Sequence, residues 1–368
     1  MVDYKGLIRH LASENKPFGL LTMQASPTAS LLHERFPTRL KALFSAEHGF
    51  FGAAAAGEKT ASSWHPYYDI PIHSLYGEVR RPTDEMLDGI ERMVIDLRDI
   101  GVRCYTYLAT LRNVVEVCAT KGIAVTVLDV PIPLGGILDG PMRLPDFESF
   151  VAPLNVPLCH GMTPGEAAVW IRNEEGLNLD LHVVRVTDWD HHHLEPWMNF
   201  VAPSPAIKSW DSAALYPMLV FTEAYPAVDC DRSGTMPFRV MGAPWMNQKG
   251  LMRDLAPGLS SCGVGMRPYR YVPTSGSYAG CTLNGIMFSV ENPGAFYPVT
   301  AGMLIFTALL QHHAEKLAFG SRPDWLDKLA GSTEIRDTLE SGELSTLFRG
   351  WIDGQDEYLK TRVDLYSE

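Results

Sequence analysis

Two glutamates in this chain stand where α/β proteins keep their chemistry. Glu47 lies in Ala46-Glu47-His48-Gly49, directly after the apolar run Leu40-Lys41-Ala42-Leu43-Phe44-Ser45. About thirty residues on, Glu78 lies in Leu75-Tyr76-Gly77-Glu78-Val79-Arg80-Arg81-Pro82-Thr83. Each occupies a turn-like setting beside Gly, His or Tyr, and loops that follow buried strands carry much of the function of such folds. A pair of carboxyl groups, with tyrosines and arginines near them, suits acid–base work on a polar or anionic substrate. The plainer alternative is that these residues cap helices and turns.

Residues 18–23 read as a buried strand, 28–35 as a short helix and 40–45 as a second strand. Residues 86–92 read as a helix and 93–97 as a third strand. The pattern predicts a helix over 107–121 closed by Gly122, and a fourth strand, rich in β-branched residues, over 123–128. Strands separated by helices imply parallel pairing, hence an α/β fold: a Rossmann-like, mainly parallel sheet with helices on both faces. The carboxyl ends of such strands share one edge, where ligands bind. Gln24, Glu47 with His48, Arg98 with Asp99, and Asp129 follow the four strands onto that rim. After Asp129 the chain turns irregular, which puts a first-domain boundary near residue 145. Further on, Thr163-Pro164-Gly165-Glu166 predicts a capped helix start with Glu166 in a structural role. A strand is expected over 181–186, few long elements over 187–300, and a helix over 300–316.

Composition removes several function classes. With 31 basic against 43 acidic residues the net charge is −12, which disfavours a general nucleic-acid partner. No window approaches the roughly 18 apolar residues of a membrane span, and the N-terminus has no secretory pattern, so a cytoplasmic protein is expected. The six cysteines are scattered without a C-x-x-C pair, as buried free thiols would be. Asp188-Trp189-Asp190-His191-His192-His193 offers three successive histidines, which do not turn easily toward one ion, so no metal is expected. Gln24-Ala25-Ser26-Pro27-Thr28-Ala29-Ser30 contains no glycine, which removes the dinucleotide fingerprint. P-loop and nucleophile-elbow motifs are also missing, and no cofactor is expected.

An ordered set of motifs now becomes informative. Ala46-Glu47-His48-Gly49, Gly57-Glu58-Lys59, Ser74-Leu75-Tyr76-Gly77-Glu78, Arg103-Cys104-Tyr105-Thr106-Tyr107, Leu134-Gly135-Gly136 and His160-Gly161-Met162-Thr163 follow one another, with Gly242-Ala243-Pro244-Trp245 further on. Together they resemble the bacterial exo-β-N-acetylmuramidase family, also known as domain of unknown function 1343. The resemblance implies a Rossmann-like domain over 1–145 and a smaller α+β auxiliary domain over 146–368 completing a cleft. It also implies removal of terminal N-acetylmuramic acid, or a related amino sugar, from peptidoglycan fragments or muropeptides. Glu47 and Glu78 would then be the catalytic pair with His48 beside them. Tyr105 and Tyr107 would meet the sugar, and Arg80 and Arg103 its acidic group. Asp99, Asp129, His160 and Glu223 would complete the substrate site. Departures at Arg98, at Asp129-Val130-Pro131-Ile132-Pro133 and around Glu223 fall on polar groups of that cleft. They leave a non-catalytic or repurposed sugar- or metabolite-binding protein as the alternative.

Overall fold

The structure is a computed structural model that describes residues 1–192 and 200–366. Helix α1 (Tyr4–Ser13) is capped by Asp3, whose carboxylate accepts the Gly6 N–H at 2.8 Å. The chain then alternates through β1 (Phe18–Leu21), α2 (Thr28–Arg35), β2 (Leu40–Ser45), β3 (Ser63–Trp64), β4 (Pro71–Ser74), β5 (Arg92–Ile95), α3 (Tyr107–Lys121) and β6 (Ala124–Leu128). Strands β7 (Asp139–Met142) and β8 (Pro157–Cys159) pair with each other, and α4 (Pro164–Glu174) and β9 (Leu181–Val184) follow. Seven strands make one sheet in the order β3-β4-β2-β1-β5-β6-β9, parallel except for the edge strand β3. Side chains alternate between its faces. Leu20, Leu43 and Val94 pack with α1 and α2, while Leu21, Phe44 and Ile95 join the larger core that includes α3 and α4. The sheet is therefore covered on both sides, as parallel sheets must be.

Three expectations need correction. Residues 86–92 form turns rather than a helix, because Gly89 takes φ +68° and β5 already begins at Arg92. A boundary near 145 would cut the sheet, since β9 pairs with β6 along Val125–Leu128. The stretch 187–300 holds long elements, α5 (Trp210–Leu219), α6 (Gln248–Ser261), β11 (Val264–Tyr271) and β12 (Leu283–Val290), beside the short β10 (Val240–Gly242). Interior Pro217, Pro257 and Pro268 hid them. Pro268 is tolerated because β11 is an edge strand of the antiparallel sheet β10-β12-β11. The capping box at α4 forms as expected: the Thr163 hydroxyl accepts the Glu166 N–H at 3.2 Å, and the Glu166 carboxylate accepts the Thr163 N–H at 2.9 Å. Gly122 is the left-handed cap of α3.

Helix α7 (Pro298–Ala318) packs on α5 and α6 beside the antiparallel sheet. Helices α8 (Pro323–Ala330), α9 (Glu334–Ser341) and α10 (Leu344–Leu359) then bring the chain back to the first lobe. There α10 packs against β7 and β8, and Tyr358 donates to the His160 carbonyl at 2.9 Å. One apolar cluster runs through both lobes, from Leu108 and Leu158 to Leu215, Phe288 and Phe306. Five cysteines are buried and Cys281 is exposed, against the expectation that all are buried. Among the described residues, no helix is long and apolar enough to cross a membrane.

Candidate active site

Parallel strands deliver Thr22, Glu47 and Asp96 to one sheet edge. The crevice between β1 and β5, where the strand order reverses, is filled by the protein itself. Asp96, fully buried, accepts from the hydroxyls of Thr22, Ser26 and Thr28 and pairs with Arg98 at 2.9 Å. The open space lies next to it, between the lobes. A cavity of about 320 Å³ has Glu47, Tyr76 and Tyr105 on the first-lobe wall and Tyr216, Glu223 and Arg232 on the other.

Glu47 is buried and held at both oxygens. Oε1 accepts the Gly57 N–H at 2.5 Å and Oε2 accepts the Thr106 hydroxyl at 2.5 Å. Thr106 precedes α3 and Gly57 closes the loop after β2, so two separate segments fix one carboxylate. His48, at φ +72°, donates Nδ1–H to the Ala54 carbonyl at 2.9 Å, which tightens that loop. Burial, then the nearby Glu47 charge, push the Tyr76 hydroxyl up. The Arg80 guanidinium sits 3.6 Å over the Tyr76 ring and 4.3 Å from Phe150, beside the cavity rather than in its lining. Tyr105 meets Tyr107 edge-on at 4.9 Å and Tyr216 at 6.0 Å. Its buried hydroxyl faces Ser204 without a well-formed hydrogen bond, and burial raises it well above the ordinary tyrosine range. Across the cavity Glu223 pairs with Arg232 at 2.9 Å, and the Trp325 indole N–H lies 3.4 Å from its carboxylate.

The residues expected from sequence therefore divide. Glu47, His48, Tyr105 and Glu223 line the cavity. Tyr107 stands behind it, donating to the Pro203 carbonyl at 2.6 Å. Asp99 is buried close to the two tyrosines, accepts the Gly101 N–H at 2.8 Å, and is pushed up to about 7 by burial. Glu78 is exposed and outside the lining of the cavity that Glu47 borders. Arg103 is fully buried and gives its N–H groups to the carbonyls of Pro141, Val156 and Ala330. Asp129 accepts from the Thr163 hydroxyl at 2.7 Å and the Gly165 N–H at 2.8 Å, holding the start of α4. Burial pushes it up to about 6. His160 accepts the Met162 N–H at 3.2 Å and is driven down to about 3 by burial. Thr106, Gly57 and Tyr76 were not singled out, although each lies inside a motif that was; Arg232 was not singled out either.

One other group of metal-type ligands exists among the described residues. Atoms of Glu166, His191 and Asp364 lie within 4.8 Å of one another. Glu166 Oε1 already accepts from His191 Nε2 at 2.8 Å and from the Leu365 N–H at 2.8 Å. Of the histidine triplet, His193 lies outside the described residues.

Fold and cavity together define a two-lobed α/β protein with a cavity between its lobes and a fixed carboxylate at the wall. The chain belongs to the exo-β-N-acetylmuramidase NamZ family, and with it to the glycosidases: the family's N-terminal model matches residues 12–211 and its C-terminal model residues 214–366. It is 32% identical over 370 residues to the peptidoglycan β-N-acetylmuramidase NamZ of Bacillus subtilis strain 168, covering 98% of this chain and 87% of that one. A crystal structure of a DUF1343 family protein of Bacteroides fragilis superposes with a TM-score of 0.87 at 26% identity, over 99% of this chain and 97% of the other. A second from the same organism, 22% identical with a TM-score of 0.73 over 95% and 93% of the chains, shares the fold.

Proposed function

We propose that this protein hydrolyses β-glycosides of N-acetylmuramic acid, releasing the terminal sugar from peptidoglycan fragments, with Glu47 as its catalytic carboxylate. The observation that carries the assignment is the anchoring of both Glu47 oxygens at the wall of the inter-lobe cavity. A carboxylate so fixed is preorganised to meet the charge that develops on the sugar ring. Glycosidases typically flank the scissile bond with two carboxyl groups. Glu223 takes the second place, which the exposed Glu78 does not fill. Arg232 gives Nη1 to Glu223, and guanidinium carries five N–H groups, so donors remain for the acidic substituent of a muramic sugar. Tyr105 supplies a ring face and a hydroxyl ready for a ligand.

The test is Glu47→Gln. Glutamine keeps the shape and one acceptor for Gly57, and its amide faces the Thr106 hydroxyl, which rotates to accept. Turnover of a chromogenic muramoside should fall about 100-fold or more while the sugar still binds. A variant as fast as the parent would remove Glu47 from the chemistry. A parent that binds muramic acid glycosides and hydrolyses none would make the protein a sugar-binding member of the family.

A further inference from the structure

We propose that an aromatic platform on the loop bordering the cavity binds the glycan strand beyond the sugar that is removed; this rests on the function proposed above. The loop that starts at Glu47 and His48 and returns at Ala56 and Gly57 is a wall of the cavity. Its outer side carries Phe51, 51% exposed. Phe51 ends a column of four stacked rings. His33 of α2 stacks on Tyr68 at 4.3 Å, Tyr68 on His65 at 3.8 Å, and His65 on Phe51 at 6.3 Å. Tyr67, 87% exposed, flanks the column at 6.2 Å from His65.

The column is built to be rigid. His65 is buried, and its Nδ1 accepts the N–H groups of Tyr67 at 3.3 Å and Tyr68 at 3.1 Å. Phe50, also buried, braces Phe51 edge-on at 5.3 Å and anchors the loop to the end of β1 by accepting the Gln24 N–H at 2.7 Å. Two large aromatic faces are thus held toward solvent on a fixed base, one of them on the loop whose ends line the cavity.

The occupant follows from size and continuity. A cavity of about 320 Å³ is at the small end of ligand pockets, enough for one substituted sugar ring. A strand whose end sits in it must lay its remaining sugars on the surface outside. The loop whose ends line the cavity carries Phe51, Tyr67 stands next to it on the turn between β3 and β4, and aromatic faces pack well against the apolar C–H faces of sugars.

The test is the double change Phe51→Ala with Tyr67→Ala, two exposed positions. It is read on a chromogenic monoglycoside of N-acetylmuramic acid and on peptide-free peptidoglycan glycan strands. On the monoglycoside, kcat/KM should stay within about two-fold of the parent. On strands, KM should rise about 10-fold with kcat kept, the scale of two lost ring contacts. In a Glu47→Gln background, co-sedimentation of the protein with strands should weaken by the same factor. Equal strand binding and equal KM with and without the rings would overturn the platform, as would an equal loss on both substrates. A parent that hydrolyses no muramoside would sink the proposed function, and the sedimentation comparison would still decide the platform.

Discussion

Thr106 is the restraint on Glu47 that is open to test without disturbing backbone. Its hydroxyl reaches Oε2 at 2.5 Å, while the other restraint is the Gly57 N–H. Thr106→Val keeps the side-chain volume and frees half of the carboxylate. Turnover of a muramoside should fall about 10- to 100-fold, the cost of a misplaced reacting group, with KM within about two-fold, and Thr106→Ser should restore most of it. An unchanged kcat would mean that Gly57 alone positions Glu47. At this scale the motifs singled out in the sequence reach the cavity lining, often through a different member. Leu75–Thr83 offers Tyr76 to the cavity while Glu78 faces water, and Arg103–Tyr107 offers Tyr105 and Thr106 while Arg103 turns inward. Charge drew attention to Glu78 and Arg103. Which way a side chain points is decided by strand register and by lobes more than a hundred residues apart, and a single charge does not encode that. Arg232 shows the same limit, since its partner wall exists only once the second lobe docks.

Among the elements, β1, β2, β5 and β6 were legible because they are buried on both faces almost throughout and read as apolar runs, whereas the exposed or half-buried β3 and β4 do not. β9 was expected as a strand, yet its burial alternates toward solvent and nothing local marks it as part of the main sheet. It also carries a pH-sensitive contact. His182 of β9 stacks on His10 of α1 at 3.9 Å, and His10 Nε2 lies 3.1 Å from the Thr126 hydroxyl of β6. Desolvation first, then each neighbouring cation, lower both imidazoles. His10 faces His182 and Arg92, and His182 faces Arg92, with Glu14 and Asp180 opposing. The folded protein therefore binds fewer protons here than the unfolded chain. The contribution is intact above the ordinary histidine value and is lost as pH falls through it. Urea unfolding at pH 7.5 and pH 5.5 should show a larger loss in the parent than in His182→Asn. Equal losses would place the acid sensitivity elsewhere.

At the scale of the whole molecule, Arg103 ties the lobes together. Its guanidinium donates to Pro141 and Val156 in the first lobe and to Ala330 at the end of α8. Burial lowers it to about 10, so it stays charged at neutral pH, with carbonyls rather than a carboxylate receiving its N–H groups. Arg103→Met fills much of the space but leaves three carbonyls unpaired. It should cost roughly 3 kcal/mol or more, read as a lower urea midpoint; a midpoint like the parent's would show that the lobes hold together without Arg103.

The same residue imposes an order on biosynthesis. Two of the Arg103 acceptors leave the ribosome within about fifty residues of it, but Ala330 follows 227 residues later. Until then a donor of a charged group lacks its acceptor, and water must stay where the finished protein is dry. A nascent first lobe therefore waits, half-sealed and hydrated, for a segment of the second. Released early as a fragment, it would be a substrate for proteases and chaperones rather than a working half of the enzyme.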